Sequence, residues 1–556
     1  MSNIADSYNV TFCQVCNPSN ILDPAKSSQV EDLLGTISRE LATDRKLRQR
    51  MGAEEPSIWT PLRDSWSALA NAQLGDNGER IHGLRLNLAK FTRNLAAEVP
   101  LNQRKAYEIE PDLRRLLHLY TSYYALQEDR SSAIARMLGQ ALCNIVTGNE
   151  ELLSRLWKTY IELREEENVL IRLLGSRRPD VVVPGEVLVL NCILGRRDRA
   201  SMLRTTPLGL RISVVLLDQL REVSDSQPEE SSPVFDIGSV ASIPPEFGLI
   251  KLLCFRYSIF KNLIECGEMP PLYASLTVQD EIVTPHQTTL LKLLDAYLQS
   301  STGVQSVWLH RHLTPLLLST FSALSDYTQN AVRKALGPTT GIASASEASV
   351  SRYAAPVSPT SSEHGHQESF RLAQQTPLQE LDLLLPKVSE ALVLVSQCLI
   401  TVTLAASTSS NYPNDDRNNI LTQAREPATI KTLIETLRLL DLFLPRINFG
   451  APAVSPSTSQ VAHDPQSPGF KYVKRDLVRL LGILSHESRA VQDTVRTSGG
   501  IPVVMNMCVI DERNPFLREH AILCMRNLLR GNPENQAVVN EIQPLAMPDQ
   551  YGPIDS

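Results

Sequence analysis

Four stretches of this sequence end in the same way, and their spacing constrains the fold more than any other feature. Each completes a helix-like apolar pattern and passes into a small polar loop; they cover residues 93–103, 143–149, 190–195 and 526–536. Asn94, Asn144 and Asn191 are separated by 50 and 47 residues, and Gly482 precedes Asn527 by 45. These intervals are close to the roughly 40–47 residues of HEAT and armadillo repeats. Units this small cannot bury their own apolar stripes, so the spacing predicts a stack of repeats.

The apolar residues follow the period of an α-helix. Near the C-terminus they recur at helical spacing on one stripe, formed by Phe470, Val473, Leu477, Leu480, Leu481 and Leu484. The polar residues between them are expected to face solvent; they are Lys471, Lys474, Arg475 and Arg479. Convincing alternation of period two is hard to find. The sequence therefore predicts an all-α fold, an armadillo/HEAT-like α-solenoid with disordered Ser/Pro-rich insertions.

Composition narrows the classes of function. The 556 residues carry a net charge of −7, which disfavours nucleic acid as a main partner. Nine scattered cysteines suggest a reducing compartment, and the first residues resemble neither a secretory signal nor a transit peptide, so we expect a cytoplasmic protein. The uncharged stretch 391–414 has an apolar part of about 16 residues, shorter than the ~20 that a bilayer needs, so we expect a buried helix there and no membrane span.

Pro, Ser and Gly accumulate at the expected breaks in the helical body. The predicted divisions are helical repeats at 20–223, middle repeats at 246–336, a disordered insert at 337–377, repeats at 378–448, a disordered linker at 450–468 and a C-terminal domain at 469–545. Four Ser-Pro pairs fall in the polar stretches and are possible phosphorylation sites: Ser232, Ser358, Ser455 and Ser467.

The segment 499–536 shows the repeat pattern best. Gly499 and Gly500 supply a turn, and Pro502 suits the start of a helix because the first N–H groups have no partner inside the helix. Residues 511–515 break that helix, and Phe516 opens a longer one that ends in Asn527 and Leu528. A helix, a Gly-Gly-Ile-Pro helix and a longer helix form the three-helix armadillo pattern.

This C-terminal segment resembles the ataxin-10 family. The similarity lies in residues 470–484, Val491-Gln-Asp493, Gly500-Ile-Pro502, Cys508-Val-Ile-Asp511, residues 514–519 and the loop Gly531-Asn-Pro-Glu-Asn-Gln536. It is strong over about 75 residues, and the insertions fit a fungal-type member. The resemblance implies a cytoplasmic, armadillo-like protein without catalytic activity or cofactor, which binds protein partners and regulates cytokinesis. Partners from the cytokinesis machinery or kinases are expected, and a homo-oligomer is possible.

A relative in the family carries a copper-transport name, so metal handling is the first alternative function. Its candidate ligands are Met505, Met507, Cys508 and Cys524, although the helical pattern favours Met505 and Cys508 as core residues. Cys13 and Cys16 form half of a zinc site at most. The pairs His310/His312 and His364/His366 are expected to be solvated. We therefore predict no metal site.

A hydrolase with a site between repeats is the second alternative, although no catalytic motif is evident. The preferred sites bind partners in the groove of the third helices: Asn94, Asn144, Asn191, Arg526, Asn527 and Arg530. There an asparagine could hydrogen-bond an extended peptide while an arginine pairs with its acidic groups. The alternative, which the sequence favours, is that each asparagine caps its own helix.

Overall fold

A computed structural model describes residues 3–73, 78–225, 248–304, 306–337, 382–408, 414–444, 446–448, 451–452 and 470–542. The chain divides into two compact units. Unit 1 contains residues 1–277 and 285–293, and unit 2 contains residues 278–284 and 294–556. The predicted middle repeats at 246–336 are thus shared between the two units.

Unit 1 is built from helices that are mostly short. They are α1 (Asn3–Val15), α2 (Pro18–Leu22), α3 (Ser27–Thr43), α4 (Arg45–Ala53), α5 (Trp59–Asn71), α6 (Gly78–Ala96), α7 (Pro100–Ala106), α8 (Glu110–Tyr120), α9 (Asp129–Val146), α10 (Glu150–Glu162), α11 (Val169–Leu174), α12 (Pro179–Ile193), α13 (Arg197–Thr205), α14 (Pro207–Asp225), α15 (Gly248–Glu265), α16 (Met269–Ser275) and most of α17 (Pro285–Leu298). The described residues of unit 1 also include 3₁₀ turns at Tyr107–Ile109, Ala125–Gln127 and Glu165–Glu167.

Unit 2 contains the end of α17 and the remaining helices. They are α18 (Ser301–Val304), α19 (Val307–Leu336), α20 (Leu385–Thr408), α21 (Asn414–Ala424), α22 (Pro427–Phe443), α23 (Val473–Ser485), α24 (Arg489–Thr497), α25 (Gly500–Asn506), α26 (Leu517–Leu529) and α27 (Pro533–Glu541). Its described part also has two strands of two residues, β1 (Ile447–Asn448) and β2 (Ala451–Pro452), which pair antiparallel.

Helices pack in a pattern that repeats every three elements. In unit 1 the third helices α3, α6, α9, α12 and α15 pack each on the next, and the second helices α2, α5, α8, α11 and α14 do the same. In unit 2, α20, α23 and α26 form a similar row. Each third helix therefore covers the apolar stripe of its neighbour, as stacked repeats require. The predicted all-α, armadillo-like α-solenoid is confirmed.

A polar side chain closes the end of several third helices. It lies in the next helix and donates a hydrogen bond to a carbonyl seven residues earlier: Arg48 to Leu41 at 2.7 Å, Asn102 to Leu95 at 2.9 Å, Gln492 to Ser485 at 3.4 Å and Asn535 to Leu528 at 2.9 Å. Arg199 does the same to Cys192. The last carbonyls of a helix have no partner inside it, so these side chains satisfy groups that would otherwise be buried without a donor.

Helix α20 contains the uncharged stretch for which the sequence predicts a buried helix. Of the described helices it alone is long and apolar enough to cross a membrane, while α13 and α14 pass the same test only as a pair bent by 88°. Helix α20 packs against α19 and α23, and Leu392, Leu399 and Val402 are buried there. Its apolar surface is thus used inside unit 2, as in a core helix of a soluble protein.

Candidate functional site

The repeated asparagines lie near the ends of third helices and share one arrangement. The side-chain amide of each donates to the preceding third helix of its row: Asn94 to the Ser38 carbonyl at 2.8 Å, Asn144 to the Arg93 carbonyl at 2.9 Å and Asn527 to the Gly482 carbonyl at 2.8 Å. Asn191 donates to the Thr147 hydroxyl at 2.9 Å, just beyond the end of α9. The asparagines thus link one repeat to the next.

A fifth member of this series, Asn262 on α15, was missed in the sequence. Its amide donates to the Ile193 carbonyl at 3.1 Å, and its Oδ1 accepts from the Gly195 N–H at 2.9 Å. Asn262 follows Asn191 by more than one repeat interval, because the stretch 226–247 intervenes. The available signal was local: Asn262 precedes Leu263, just as Asn94 precedes Leu95.

This arrangement differs from both interpretations of the asparagines. The bonds run between helices, so these amides are not caps of their own helices, and at least one amide proton of each is already used inside the fold. Partner binding by Asn94, Asn144, Asn191 and Asn527 stays a prediction. Such binding would use the second amide proton of each asparagine together with neighbouring side chains.

The arginines predicted in the C-terminal groove lie on an exposed face of α26. Arg526 and Arg530 are both exposed, and neither forms an ion pair within the described part of the chain. Ile522 and Leu523, one turn earlier, are 48% and 52% exposed. Helical spacing places Ile522, Arg526 and Arg530 along one stripe. Cationic and aliphatic side chains therefore lie side by side on this surface.

Helix α23 adds further charge beside this stripe. Burial lowers the pKa of the His520 imidazole on α26, and the nearby positive charges of Arg479 and Arg475 lower it further. Arg475 pairs with Asp476 at 2.6 Å and stacks on the Tyr472 ring at 4.2 Å. Arg479 forms no ion pair among the residues that the structure describes. We call Arg479, Ile522, Leu523, Arg526 and Arg530 the C-terminal face.

The two helices of this face approach closely. A Cβ atom at Gly482 would lie 3.3 Å from the Cβ of Cys524, tighter than almost all such contacts, so glycine suits this position.

Gly499 precedes α25 with φ of 65°, in the left-handed region that glycine adopts without strain. The turn predicted at Gly499–Gly500 is therefore present.

A buried ionic network holds the base of this face, and it corrects one expectation. Lys474 does not face solvent: its side chain is fully buried, with Nζ 3.3 Å from Asp511 Oδ2, 3.4 Å from Asp441 Oδ1 and 3.1 Å from the Leu444 carbonyl. Asp511 is also buried, and its Oδ2 accepts from Asn514 Nδ2 at 2.9 Å. The loop before α26 is thereby tied to the start of α23.

The loop Gly531–Gln536 has a structural role. Asn532 caps α27 by accepting the Asn535 N–H at 3.0 Å, and its amide donates to Gln492 at 3.1 Å. The Asn535 amide reaches the Gln492 carbonyl at 3.2 Å and the Leu528 carbonyl at 2.9 Å. In unit 1 Asn102 makes the same pair of bonds, to Leu95 and Arg48. This motif therefore closes a repeat and contributes no exposed binding group at these two asparagines.

The sulfur groups considered for copper are placed differently from the expectation. Met505 is only half-buried, whereas Met507 is 1% exposed, because α25 ends at Asn506 and the next residue turns into the core. Cys524 is buried, and burial raises the pKa of both the Cys508 and Cys524 thiols. Thiolates bind soft metals, so these environments disfavour the ligand form.

The other candidate ligands do not converge. His310 is buried, which corrects its expected solvation; its Nε2 lies 2.9 Å from the Gly303 carbonyl, and burial lowers its pKa to about 4. His312 stacks on Trp308. Burial raises the pKa of the Cys16 thiol to about 12. Within the described ranges, no three His, Cys, Asp or Glu side chains are grouped to hold a metal ion.

Several predictions lie outside the described residues. They are the four phosphorylation sites Ser232, Ser358, Ser455 and Ser467, the pair His364/His366 and nearly all of both predicted disordered segments. The hydrolase alternative is likewise untested.

Comparison with known proteins adds to this geometry. Residues 473–551 match the model of the spinocerebellar ataxia type 10 protein domain. The chain carries an ataxin-10 family domain. It is 41% identical over 81 residues to an ataxin-10 homolog of Kluyveromyces lactis and 38% identical over 74 residues to one of Candida albicans. Bovine ataxin-10 is 28% identical over 123 residues. The resemblance to the ataxin-10 family is confirmed.

The match is confined to a small part of each protein. It covers 15% of this chain and 14% of the Kluyveromyces relative, and 22% of this chain and 25% of bovine ataxin-10. Among solved structures, the alignment with the SYS-1/POP-1 complex covers 96% of this chain and 94% of the matched chain. The identity is 12% and the TM-score is 0.34. The alignment with an engineered protein covers 92% of this chain and 97% of that protein, at 10% identity and a TM-score of 0.32.

Proposed function

We propose that this protein is a non-enzymatic scaffold that binds protein partners through the C-terminal face of its ataxin-10 domain. The observation that carries the proposal is the coincidence of Arg479, Arg526 and Arg530, which lack ion pairs within the described residues, with the exposed Ile522 and Leu523. Arginines with accessible aliphatic groups are typical of protein interfaces, where arginine anchors acidic partners and apolar groups exclude water.

The proposed setting is the cytoplasm and the proposed process is cytokinesis. Both come from the resemblance to the ataxin-10 family, and the net charge of −7 agrees with a protein partner better than with nucleic acid. No residue is assigned covalent chemistry in this proposal. The scaffold would hold a component of the division machinery, or a kinase that acts on it.

The test is a charge reversal in the full chain. R526E/R530E, introduced at the native locus, should remove partners recovered by proximity labelling from dividing cells and should raise the fraction of cells that fail to divide. A large effect is expected, because reversal changes attraction to repulsion at two adjacent points of the interface.

The matched control is K387E/K431E, which makes the same change of charge at two exposed lysines of unit 2, on α20 and α22. It should keep both the partners and normal division. Equal loss in both variants would show a general effect of charge, and full retention in R526E/R530E would contradict the proposed site.

A further inference from the structure

A groove runs along the third helices α3 and α6 of unit 1, away from the C-terminal face. Its volume is about 640 Å³, and its charges are segregated. Glu31 and Asp32 lie near the start of α3, whereas the cations lie further along the two helices, Arg39 on α3 and Lys90 and Arg93 on α6. One part of the groove is thus acidic and another is cationic, although the chain as a whole carries a net charge of −7.

Arg93 has only neutral hydrogen-bond partners among the described residues. Its Nη1 donates to Gln140 Oε1 at 2.8 Å, and its Nε donates to Asn94 Oδ1 at 2.9 Å. Burial and the nearby positive charge of Arg136 both lower the pKa of the Arg93 guanidinium. Two arginines therefore lie close together at the junction of α6 and α9, where like charges repel each other.

The neighbouring cations are equally poor in carboxylate partners. Arg136 forms a long ion pair, with 4.0 Å between its Nη1 and Asp180 Oδ2. The buried Nε of Arg136 has no acceptor in the described structure. Arg39 donates to the Gly35 carbonyl at 3.2 Å and to the Thr36 hydroxyl at 3.3 Å. Lys90 forms no ion pair within the described ranges. Four cations along three third helices thus remain without a close carboxylate.

We propose that this groove binds an extended acidic segment of a partner protein, with its carboxylates over Lys90 and Arg93 and, beyond the groove on α9, over Arg136. Arginine guanidinium groups bind carboxylates in a two-pronged geometry, and a carboxylate between Arg93 and Arg136 would relieve their mutual repulsion. Glu31 and Asp32 set the direction of the segment, because they repel its acidic part and favour a neutral or basic residue near the start of α3. A continuous polyanion would place a negative charge against Glu31 and Asp32 as well, which disfavours nucleic acid.

This surface is a second binding site, independent of the C-terminal face. The two sites lie on different units and are built from different helices. A chain with both could hold two partners, or two segments of one partner, with a gain from multivalency.

The test uses the full-length protein and a fluorescein-labelled ten-residue peptide of alternating Glu and Ser, measured by fluorescence anisotropy. R93Q/R136Q should weaken binding by about tenfold or more, because two charge-assisted contacts are lost. Binding to the wild-type chain should also fall as salt rises. A peptide with Gln in place of Glu should bind at least about tenfold more weakly.

The matched control is R104Q/K105Q, which removes two positive charges from exposed positions on α7 of the same unit. It should bind the Glu-Ser peptide like the wild type, and so should R526E/R530E, which separates this proposal from the C-terminal face. If circular dichroism shows that R93Q/R136Q is unfolded, K90E takes its place and should weaken binding to a similar extent.

Three results would overturn the proposal. The first is equal binding by the wild type and the folded groove variant, and the second is equal binding of the Glu and Gln peptides. The third is an oligothymidine that binds more tightly than the Glu-Ser peptide and loses its affinity in the same variant, which would assign the groove to single-stranded nucleic acid.

Discussion

The repeats of unit 1 and the ataxin-10 domain of unit 2 use different means to hold similar helices together. In unit 1 the same contact recurs: an asparagine near the end of a third helix donates to the helix before it, as Asn94 and Asn144 do. The ataxin-10 domain keeps that contact at Asn527 and ties a loop to it through the buried ionic network of Lys474 and Asp511, whereas the buried Arg256–Glu186 pair of unit 1 joins two third helices. A repeated contact tolerates the loss of one copy better than a single buried charge pair does, so we expect the ataxin-10 domain to be the more sensitive to substitution.

The largest effect is expected at the buried ionic network. Lys474→Ala leaves Asp511 buried and without its cation, so the free energy of unfolding of residues 470–542 should fall by about 3–5 kcal/mol. Hydrogen exchange of this segment, followed by mass spectrometry, measures the loss. Arg518→Ala, at an exposed position of α26 that forms no ion pair among the described residues, should change protection little. Equal effects of the two substitutions would remove the proposed difference between the regions.

The next prediction concerns the motif that both regions share. Asn102→Ala and Asn535→Ala each remove two buried hydrogen bonds, one of which goes to a carbonyl at the end of a helix, so each should lower stability by about 1–3 kcal/mol. Asn191→Ala is the milder reference, about 1 kcal/mol or less, because Asn191 donates to a single hydroxyl at a partly exposed site. Chemical denaturation monitored by circular dichroism measures all three. A large loss at only one of the paired sites would show that the motif is not equivalent in the two units.

A smaller effect distinguishes the regions by pH. Burial, with the nearby charge of Asp476, raises the pKa of Asp295 in unit 2 to about 6, and its Oδ1 has no hydrogen-bond partner. The folded protein then holds the proton more tightly than the unfolded chain, so this group's contribution to stability is lost as pH rises from about 4 to 6. Asp295→Asn should therefore raise the free energy of unfolding at pH 7.5 by about 1–2 kcal/mol and leave it unchanged near pH 3.5.

Denaturation of both proteins at the two pH values tests this. A gain of the same size at pH 3.5 would point to packing instead of ionisation. In unit 1 the buried Glu186 pairs with Arg256 at 2.6 Å, so the matching Glu186→Gln change should destabilise by leaving that arginine without its carboxylate.

The smallest effect on stability is expected on the C-terminal face. Arg526→Glu and Arg530→Glu alter exposed side chains that form no ion pairs within the described structure, so thermal stability should change by less than about 0.5 kcal/mol. Differential scanning calorimetry of the R526E/R530E protein checks this. A marked destabilisation would mean that lost binding reports unfolding instead of a lost contact.

The sequence was sufficient to predict the repeat architecture and the ataxin-10 domain. Asparagine spacing indicated the third helices, and Pro502 and Phe516 came within two residues of the starts of α25 and α26. These features are local, because helix periodicity, glycine turns and proline starts depend on neighbouring residues.

The missed features depend on residues far apart in the chain. Lys474 occupies a polar position of its helix, and its burial follows from Asp511, in a loop 37 residues later. The sequence alone indicates capping or peptide binding for the asparagines, because their bond to the previous repeat follows only from how the repeats stack. For the C-terminal face, the arginines were predicted but the exposed Ile522 and Leu523 were not, since an apolar residue in a helix is normally expected in the core.

Site-specific photocrosslinking in dividing cells tests the central claim most directly. A photoreactive amino acid replaces Leu523 on the C-terminal face or, as the control, Lys431 on the exposed surface of α22. The account predicts that a discrete partner protein is crosslinked at position 523, that it is absent at position 431, and that R526E/R530E abolishes it. A chain that is stable and abundant but gives no crosslink at 523, or the same crosslinks at both positions, would contradict a scaffold that works through this face.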